Sequence, residues 1–314
     1  MAAGGGEIPG LGLSVFDGFD LEVLDLAEIR VRVRVGGDGP PLLLLHGNPQ
    51  THVMWHRVAP RLAESFRVVV PDLRGYGKTS KPPSSPDHSP YSKRTMGRDQ
   101  IDLMTRLGHS KFSVAGHDRG ARVAYRMALD HPDVIDRLAV LDIIPTGDMF
   151  TRGGRDFGLS HYHWYFLAQP APLPEKLIGS DPDWYWRWHT TRGPDTSFFD
   201  ERALEDYLDC FSDPETIRGI CEDYRAGATI DFEQDRADKE EGRKIECPLL
   251  VLWSGRGAID DWYDVLEVWG EWADDVRGRA LPCGHYLPEE APEETVEALM
   301  AFFSEPAPSI RSDR

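Results

Sequence analysis

The apolar residues of this 314-residue chain change rhythm along its length. Ile29-Arg30-Val31-Arg32-Val33-Arg34-Val35 alternates strictly, which predicts a half-exposed strand, and Glu22-Val23-Leu24-Asp25-Leu26 before it reads as its hairpin partner. After that the strands become continuous apolar runs separated by helical patterns: Leu42–Leu45, Val68–Val70, Phe112–Ala115, Leu138–Leu141 and Leu249–Trp253, with a last strand-like segment at Val276–Leu281. Such runs, alternating with helices, predict an α/β fold with a mostly parallel central sheet covered on both faces. Between about Pro145 and Lys244 the strand signal stops. Aromatic clusters take over, among them His161-Tyr162-His163-Trp164-Tyr165-Phe166 and Trp184-Tyr185-Trp186-Arg187-Trp188. This stretch is expected to form a helical cap over the crevice at the carboxyl ends of the strands, with most of its aromatics packing the cap's own core. The expected organisation is a core over 1–145 and 245–304 around a cap over 146–244. The ends, Met1–Gly10 and Glu305–Arg314, are Gly-, Pro- and charge-rich and are expected to be frayed, with 305–314 a disordered tail.

The run Phe112–Ala115 leads into Gly116-His117-Asp118-Arg119-Gly120 and then into a helical pattern from Ala121 to Leu129. Small residues two positions either side of a central residue permit a nucleophile elbow, a sharp strand-to-helix turn that ordinarily presents serine. Here it presents Asp118. An isolated Asp before a helix is ordinarily an N-cap, but the flanking glycines and the partners below point to a nucleophile. An alkoxide suits attack on a carbonyl carbon. A carboxylate suits saturated carbon, forming an alkyl ester that water then splits.

Splitting that ester needs a base, and Cys283-Gly284-His285 after the last strand supplies one at the place where this kind of fold keeps it. Asp142, directly after Leu138–Leu141, is the expected acid that fixes the tautomer of His285. Asp260 and Asp261 rank second, because their spacing from the strand end is long. His46-Gly47-Asn48-Pro49 follows Leu42–Leu45; glycine allows a close turn and proline removes a donor. The backbone N–H groups of Asn48 and Arg119 are then expected to bind the oxyanion formed when water attacks the ester. Arg119 and Arg122, spaced i and i+3, are expected to lie side by side next to Asp118 and to clamp a substrate carboxylate with their guanidinium forks.

Charge sharpens this reading. Lys and Arg number 35 against 53 Asp and Glu, a net charge of −18, which argues against nucleic acid or an anionic membrane as partner. A small anionic substrate would be repelled at long range, so its site needs local positive charge, and the arginine pair supplies it. Cys210, Cys221, Cys247 and Cys283 show neither a CxxC pair nor zinc-site spacing and are expected to be free thiols in a reducing cytoplasm. The opening Met-Ala-Ala-Gly-Gly-Gly-Glu lacks the regions of a secretory signal, and no apolar run approaches the ~20 residues of a membrane span. A soluble, cytoplasmic protein is expected, and the chemistry calls for no metal and no organic cofactor.

The stretches HGNPQTHVMWHRVAP, DLRGYGKTSKP, GHDRGARVAYRMALDHP, HYHWYFLAQPAPLPE, CEDYRAGA and CGHYLPEEAPEE, in that order from His46 to Glu294, resemble the fluoroacetate (haloacetate) dehalogenase family of α/β-hydrolases. The resemblance implies an α/β-hydrolase fold with an inserted helical cap and hydrolysis of a small 2-haloacid through an aspartyl ester. It implies Asp118 as nucleophile, His285 as base, Asp142 as its acid, and Arg119 with Arg122 as the carboxylate clamp. It also implies His163, Trp164 and Tyr224 as donors to the departing halide, and a homodimer. That family more often has Phe at the position of Asn48. HGNP instead resembles haloalkane dehalogenases, where this Asn helps hold the halide, but those enzymes place Trp directly after the nucleophile and this chain has Arg119. The middle of the cap, Trp184–Phe199, also differs from the family in length and content. Two other readings use the same residues. One is an epoxide hydrolase in which Tyr224 and Tyr162 or Tyr165 protonate a ring oxygen; the other is a ligand-binding receptor of the same fold that no longer turns over.

Overall fold

In the computed structural model, which describes residues 16–192 and 196–306, the apolar runs become eight strands. They are β1 Phe19–Asp25, β2 Arg30–Gly36, β3 Pro41–Leu45, β4 Arg67–Pro71, β5 Phe112–His117, β6 Ile135–Leu141, β7 Leu249–Ser254 and β8 Val276–Leu281. They form one sheet in the order β1-β2-β4-β3-β5-β6-β7-β8. The β1–β2 and β2–β4 pairs are antiparallel and every other pair is parallel. Apolar residues of β3, β5 and β6 such as Leu43, Val114 and Val140 are fully buried, as expected of strands with helices on both faces. The ends of β5 and β6 lie side by side in the sheet, which brings Asp118 and Asp142, one residue beyond each, to the same edge.

Between β6 and β7 the described residues form helices and no strand. Their starts are written locally. In helix Pro182–Thr191, the Asp181 side chain accepts from the N–H of Trp184 and proline occupies the first turn; helix Pro214–Ala226 begins the same way behind Asp213. Long-range polar contacts fasten this layer to the sheet. Arg32 on β2 bonds Asp72 at 2.5 Å and Asp206 of helix Glu201–Phe211 at 2.8 Å, and Thr51 Oγ1 donates to Asp206 at 2.6 Å. Trp186 donates to the carbonyl of Pro49 at 3.0 Å, and Tyr207 to Glu289 at 2.8 Å.

These contacts correct the expectation for β2. The strand is not half-exposed: Arg32 and Arg34, on its polar face, are both buried. β2 lies inside the sheet between β1 and β4. Arg32 is neutralised by Asp72 and Asp206, and the Arg34 guanidinium lies 5.0 Å from the Phe16 ring centroid. Glu305 and Pro306, expected to belong to a disordered tail, are held in place. Glu305 pairs with Arg277 at 2.6 Å, and the carbonyl of Pro306 accepts from Arg137 at 2.7 Å. Met1–Gly10 and residues 307–314 lie outside the described residues. All four cysteines are free thiols, and no helix among the described residues is long and apolar enough to cross a membrane.

The turn after β5 tolerates no side chain at its glycines. A Cβ on Gly116 would sit 2.5 Å from the carbonyl oxygen of Gly120, and one on Gly120 would sit 2.4 Å from the carbonyl oxygen of His46. Gly116→Ala is therefore expected to destabilise the fold by ~1–3 kcal/mol through overpacking against backbone. Gly179→Ala, whose new methyl meets nothing within 4 Å, should stay within ~0.5 kcal/mol of the parent. Urea unfolding of the two variants checks this, and equal stability would show that the turn relaxes freely.

Candidate active site

The site begins with a strained turn. Asp118, between β5 and the helix Arg119–Asp130, has φ 45° and ψ −114°, a conformation that costs a non-glycine residue energy and persists only where its surroundings enforce it. The enforcement comes from close packing: a Cβ on Gly47 would lie 2.6 Å from Cβ of Asp118. The turn leaves the carboxylate at the positive end of a 12-residue helix. The backbone N–H of Asn48 donates to Asp118 Oδ2 at 2.9 Å, and Oδ1 accepts from none of the described residues. His46 shapes the loop that carries Asn48. Its Nε2 accepts from the N–H of Leu73 at 3.0 Å, so Nδ1 carries the proton, 2.9 Å from the carbonyl of Gly47. Burial raises the proton affinity of Asp118, but His285, Arg122, His117 and Arg119 outweigh it, and the carboxyl is held below its ordinary value.

His285 stands on the loop after β8. Its Nδ1 lies 2.5 Å from Asp142 Oδ2, while the N–H of Ser254 donates to Asp142 Oδ1 at 2.8 Å. With Nδ1 donating to Asp142, Nε2 is the free basic nitrogen. Asp260, the second-ranked acid, instead accepts from the indole of Trp253 at 2.6 Å. Burial lowers the proton affinity of His285, but the hydrogen bond and charge of Asp142, with the charge of Asp118, raise it overall above that of an ordinary histidine. His117, next to Asp118, holds this loop: its Nε2 lies 2.7 Å from the carbonyl of His285. Burial, with the charge of His285, pushes His117 down to about 4, so it is a neutral strut.

Asp118, Asp142 and His285 open onto a cavity of about 200 Å³, lined also by Asn48, Arg122, His163, Trp164, His189, Tyr224 and Tyr286. The two arginines differ in how much of each is free. Arg122 gives Nη1 to the carbonyl of Ile144 and to Thr146 Oγ1, at 3.0 and 3.1 Å, and its guanidinium lies 4.5 Å from the Trp164 ring centroid. Its Nε is buried with no partner among the described residues. Arg119, expected to present a second open fork, is set behind the cavity wall. Its Nε and Nη2 are spent on the carboxylate of Asp223 at 2.7 and 3.0 Å, and Nη2 also reaches the Asp223 carbonyl at 3.0 Å. Among the described residues only Nη1 has no partner. The reason is distant in sequence: Asp223, 104 residues on, is fully buried and needs a cation.

The side chains that the resemblance marks as halide donors share the cavity. Tyr224 Oη and Trp164 Nε1 donate to none of the described residues. Burial, and then the Asp118 charge, hold the Tyr224 hydroxyl firmly protonated. Burial, with His189 and His161 nearby, keeps His163 neutral. Tyr162 and Tyr165 do not line the cavity; Tyr165 is 43% exposed and packs against Phe150 and Phe157. The sequence reading missed His189. Its ring stands 4.6 Å from that of His163, and its Nε2 is 3.1 Å from Asn48 Nδ2, so the side chain of Asn48 is tied to the cap. Burial, with the charge of Arg192, pushes His189 down to about 3. Its sequence signal was present but crowded, a lone polar ring at the end of a tryptophan-rich run. Among the described residues no group of three or more His, Cys, Asp or Glu is placed to hold a metal ion.

Residues 40–292 match the alpha/beta hydrolase fold family. A fluoroacetate dehalogenase from a Burkholderia species is 47% identical over 93% of this chain and 96% of that protein. A soluble epoxide hydrolase from a Corynebacterium species is 34% identical over 88% of this chain and 94% of that one. A solved α/β hydrolase structure from a Nostoc species superposes with a TM-score of 0.89 at 52% identity, covering 92% of this chain and 99% of that one. Family model, relatives and sheet order agree, and the chain belongs to the fluoroacetate dehalogenase family of α/β-hydrolases.

Proposed function

We propose that the protein hydrolyses the carbon–halogen bond of a haloacetate, giving glycolate and halide through an ester on Asp118. The observation that carries this is a carboxylate at the elbow, open to one small cavity with Arg122 and with two donors, on Trp164 and Tyr224, that none of the described residues takes up. A carboxylate with one oxygen held and the other free is a nucleophile for saturated carbon. The fluoroacetate dehalogenase relative supports the same substrate class.

The substrate carboxylate sits against Arg122, with Nη1 of Arg119 behind it. Asp118 Oδ1 attacks C2 in line, and the carbon–halogen electron pair leaves with the halide toward His163, Trp164 and Tyr224. Fluoride is small and strongly hydrated, so a dry pocket must replace its water with several N–H and O–H groups. His285 Nε2 then takes a proton from water, whose oxygen attacks Cγ of Asp118. Negative charge collects on Oδ2, which already accepts from the N–H of Asn48, and the N–H of Arg119 is the second donor. The bond between Cγ and the alkyl oxygen breaks, His285 returns its proton to the leaving alkoxide, and glycolate departs carrying an oxygen that began on Asp118.

The epoxide hydrolase relative keeps one competing reading open. Of the tyrosines that reading needs, Tyr224 alone lines the cavity, and a neutral epoxide has no use for Arg122. Halide release from chloroacetate with no diol from styrene oxide supports the dehalogenase; the reverse refutes it. Halide release above background also excludes a receptor without turnover.

Three further outcomes follow from the geometry. His285→Asn should release one halide per site and then stall, with a carboxymethyl adduct on the peptide holding Asp118; steady turnover in that variant would remove His285 as the base. The pH profile should split the two steps. Asp118 is held below its ordinary value and stays ionised in mild acid, so the first halide burst should be flat from pH 8 to 5.5. Ester hydrolysis needs neutral His285, whose proton affinity is raised, so kcat should fall as pH drops through and just above the ordinary histidine range. Loss of the Asp118 charge in the ester moves that limb back toward the ordinary value. A quench-flow burst that falls together with kcat would contradict the assignment. Finally, Tyr224→Phe should cost ~10²-fold or more in kcat on fluoroacetate, as for one lost oxyanion donor, and clearly less on bromoacetate. Equal losses on the two substrates would make Tyr224 a packing residue.

A further inference from the structure

One buried acid in this region has no part in the steps above. Asp223 precedes Tyr224 on the helix Pro214–Ala226 and is fully buried. Four donors converge on its two carboxylate oxygens. Arg119 Nε and Tyr76 Oη reach Oδ2, each at 2.7 Å, while Arg119 Nη2 at 3.0 Å and Lys93 Nζ reach Oδ1. Its backbone carbonyl takes a further bond from Arg119. The same guanidinium lies 4.2 Å from the centroid of the Tyr224 ring. Arg119 therefore touches two consecutive residues of one cap helix, in one case by a charged fork and in the other by a cation–π face.

We infer that Asp223 is a positioning residue that locks Arg119 and Tyr224 into one rigid unit, so that the seat for the substrate carboxylate and the donor to its halide are set together. The inference rests on the functional reading above and adds a residue to it. Arg119 follows the nucleophile directly, so its backbone is fixed by the elbow. Asp223 uses two of the nitrogens of Arg119 and thereby aims the remaining one, Nη1, which has no partner among the described residues. In the other direction, the fork fixes the turn of helix that carries the Tyr224 hydroxyl. A carboxylate is required. It offers about four acceptor sites, and all are used; an amide of the same shape offers half as many and turns an NH₂ toward Arg119 or Lys93. Lys93 also faces Asp231, whose Oδ1 accepts its backbone N–H at 2.9 Å, so the cluster holds two bases and two acids and balances without the substrate.

The test is Asp223→Asn in the full-length protein, read in two ways. In steady state, kcat on fluoroacetate should fall at least ~10-fold further than kcat on bromoacetate, since a ~1 Å misplacement costs up to about 10²-fold and fluoride depends most on its donors. In tryptophan-fluorescence titrations without turnover, the affinities for sodium fluoride and for sodium acetate should both weaken by ~10-fold, whereas Tyr224→Phe should weaken fluoride alone. Equal kinetic losses on the two substrates, or unchanged affinity for either ion beside a lowered Tm, would overturn the inference and leave Asp223 a structural ion pair. If the parent protein releases no halide from either substrate, the dehalogenase reading fails by itself and the titrations alone decide the role of Asp223. Should Asp223→Asn not fold, Asp223→Asn with Lys93→Met removes one acid and one base together and carries the same readouts.

Discussion

An ionised carboxylate kept out of water is the constraint on which this site depends. A buried Asp side chain ordinarily gains a proton, and a protonated Asp118 could not attack carbon. The strained elbow, the helix that starts at Arg119, the N–H of Asn48 and the charges of Arg122 and His285 all act on that one group. Several features that look separate follow from it. Glycines at 47, 116 and 120 let three backbone segments approach within van der Waals contact of the turn. The loop of His46 and Asn48, pinned by the bond from Leu73 to His46, holds its donor on Oδ2. The charge of the arginines helps to keep Asp118 ionised, and in the proposed reaction the same charge draws a small anion into a protein whose net charge is −18.

Much of the fold was legible because its signals are local. Each continuous apolar run became a parallel strand, and the elbow could be read from five consecutive residues. The chain order of strand ends was enough to bring Asp118, Asp142 and His285 together, since adjacent parallel strands end on the same edge. Where the sequence reading fell short, the missing information was the identity of a distant partner. The alternation in β2 says that one face is polar, but not that Asp72 and Asp206 will cover Arg32. The spacing of Arg119 and Arg122 places both beside the nucleophile, but not that Asp223 claims the fork of the first. His189 and Asn48 are separated by 141 residues, and only the packing of the cap on the core makes them neighbours.

That pairing bears on how the chain departs from its own family. Asn48 suggested a halide donor of the haloalkane type, yet its amide nitrogen is 3.1 Å from a neutral cap histidine. In the proposed reaction the halide is left to the far wall of the cavity, where Tyr224 and Trp164 give their polar hydrogens to none of the described residues. In that reading the halide seat is built partly from the helix Pro214–Ala226, through Tyr224, and the carboxylate seat from Arg122 on the helix Arg119–Asp130. Core and cap would then meet at the substrate, the core supplying the proposed nucleophile and base, the cap supplying the proposed solvent for the leaving group.

The central claim is that halide is displaced by Asp118 and not by water. A single turnover in water enriched in ¹⁸O, with enzyme in excess over chloroacetate, separates the two possibilities. The account predicts unlabelled glycolate, and ¹⁸O in the peptide that contains Asp118. Label in the glycolate of that first turnover, with none in the protein, would contradict it.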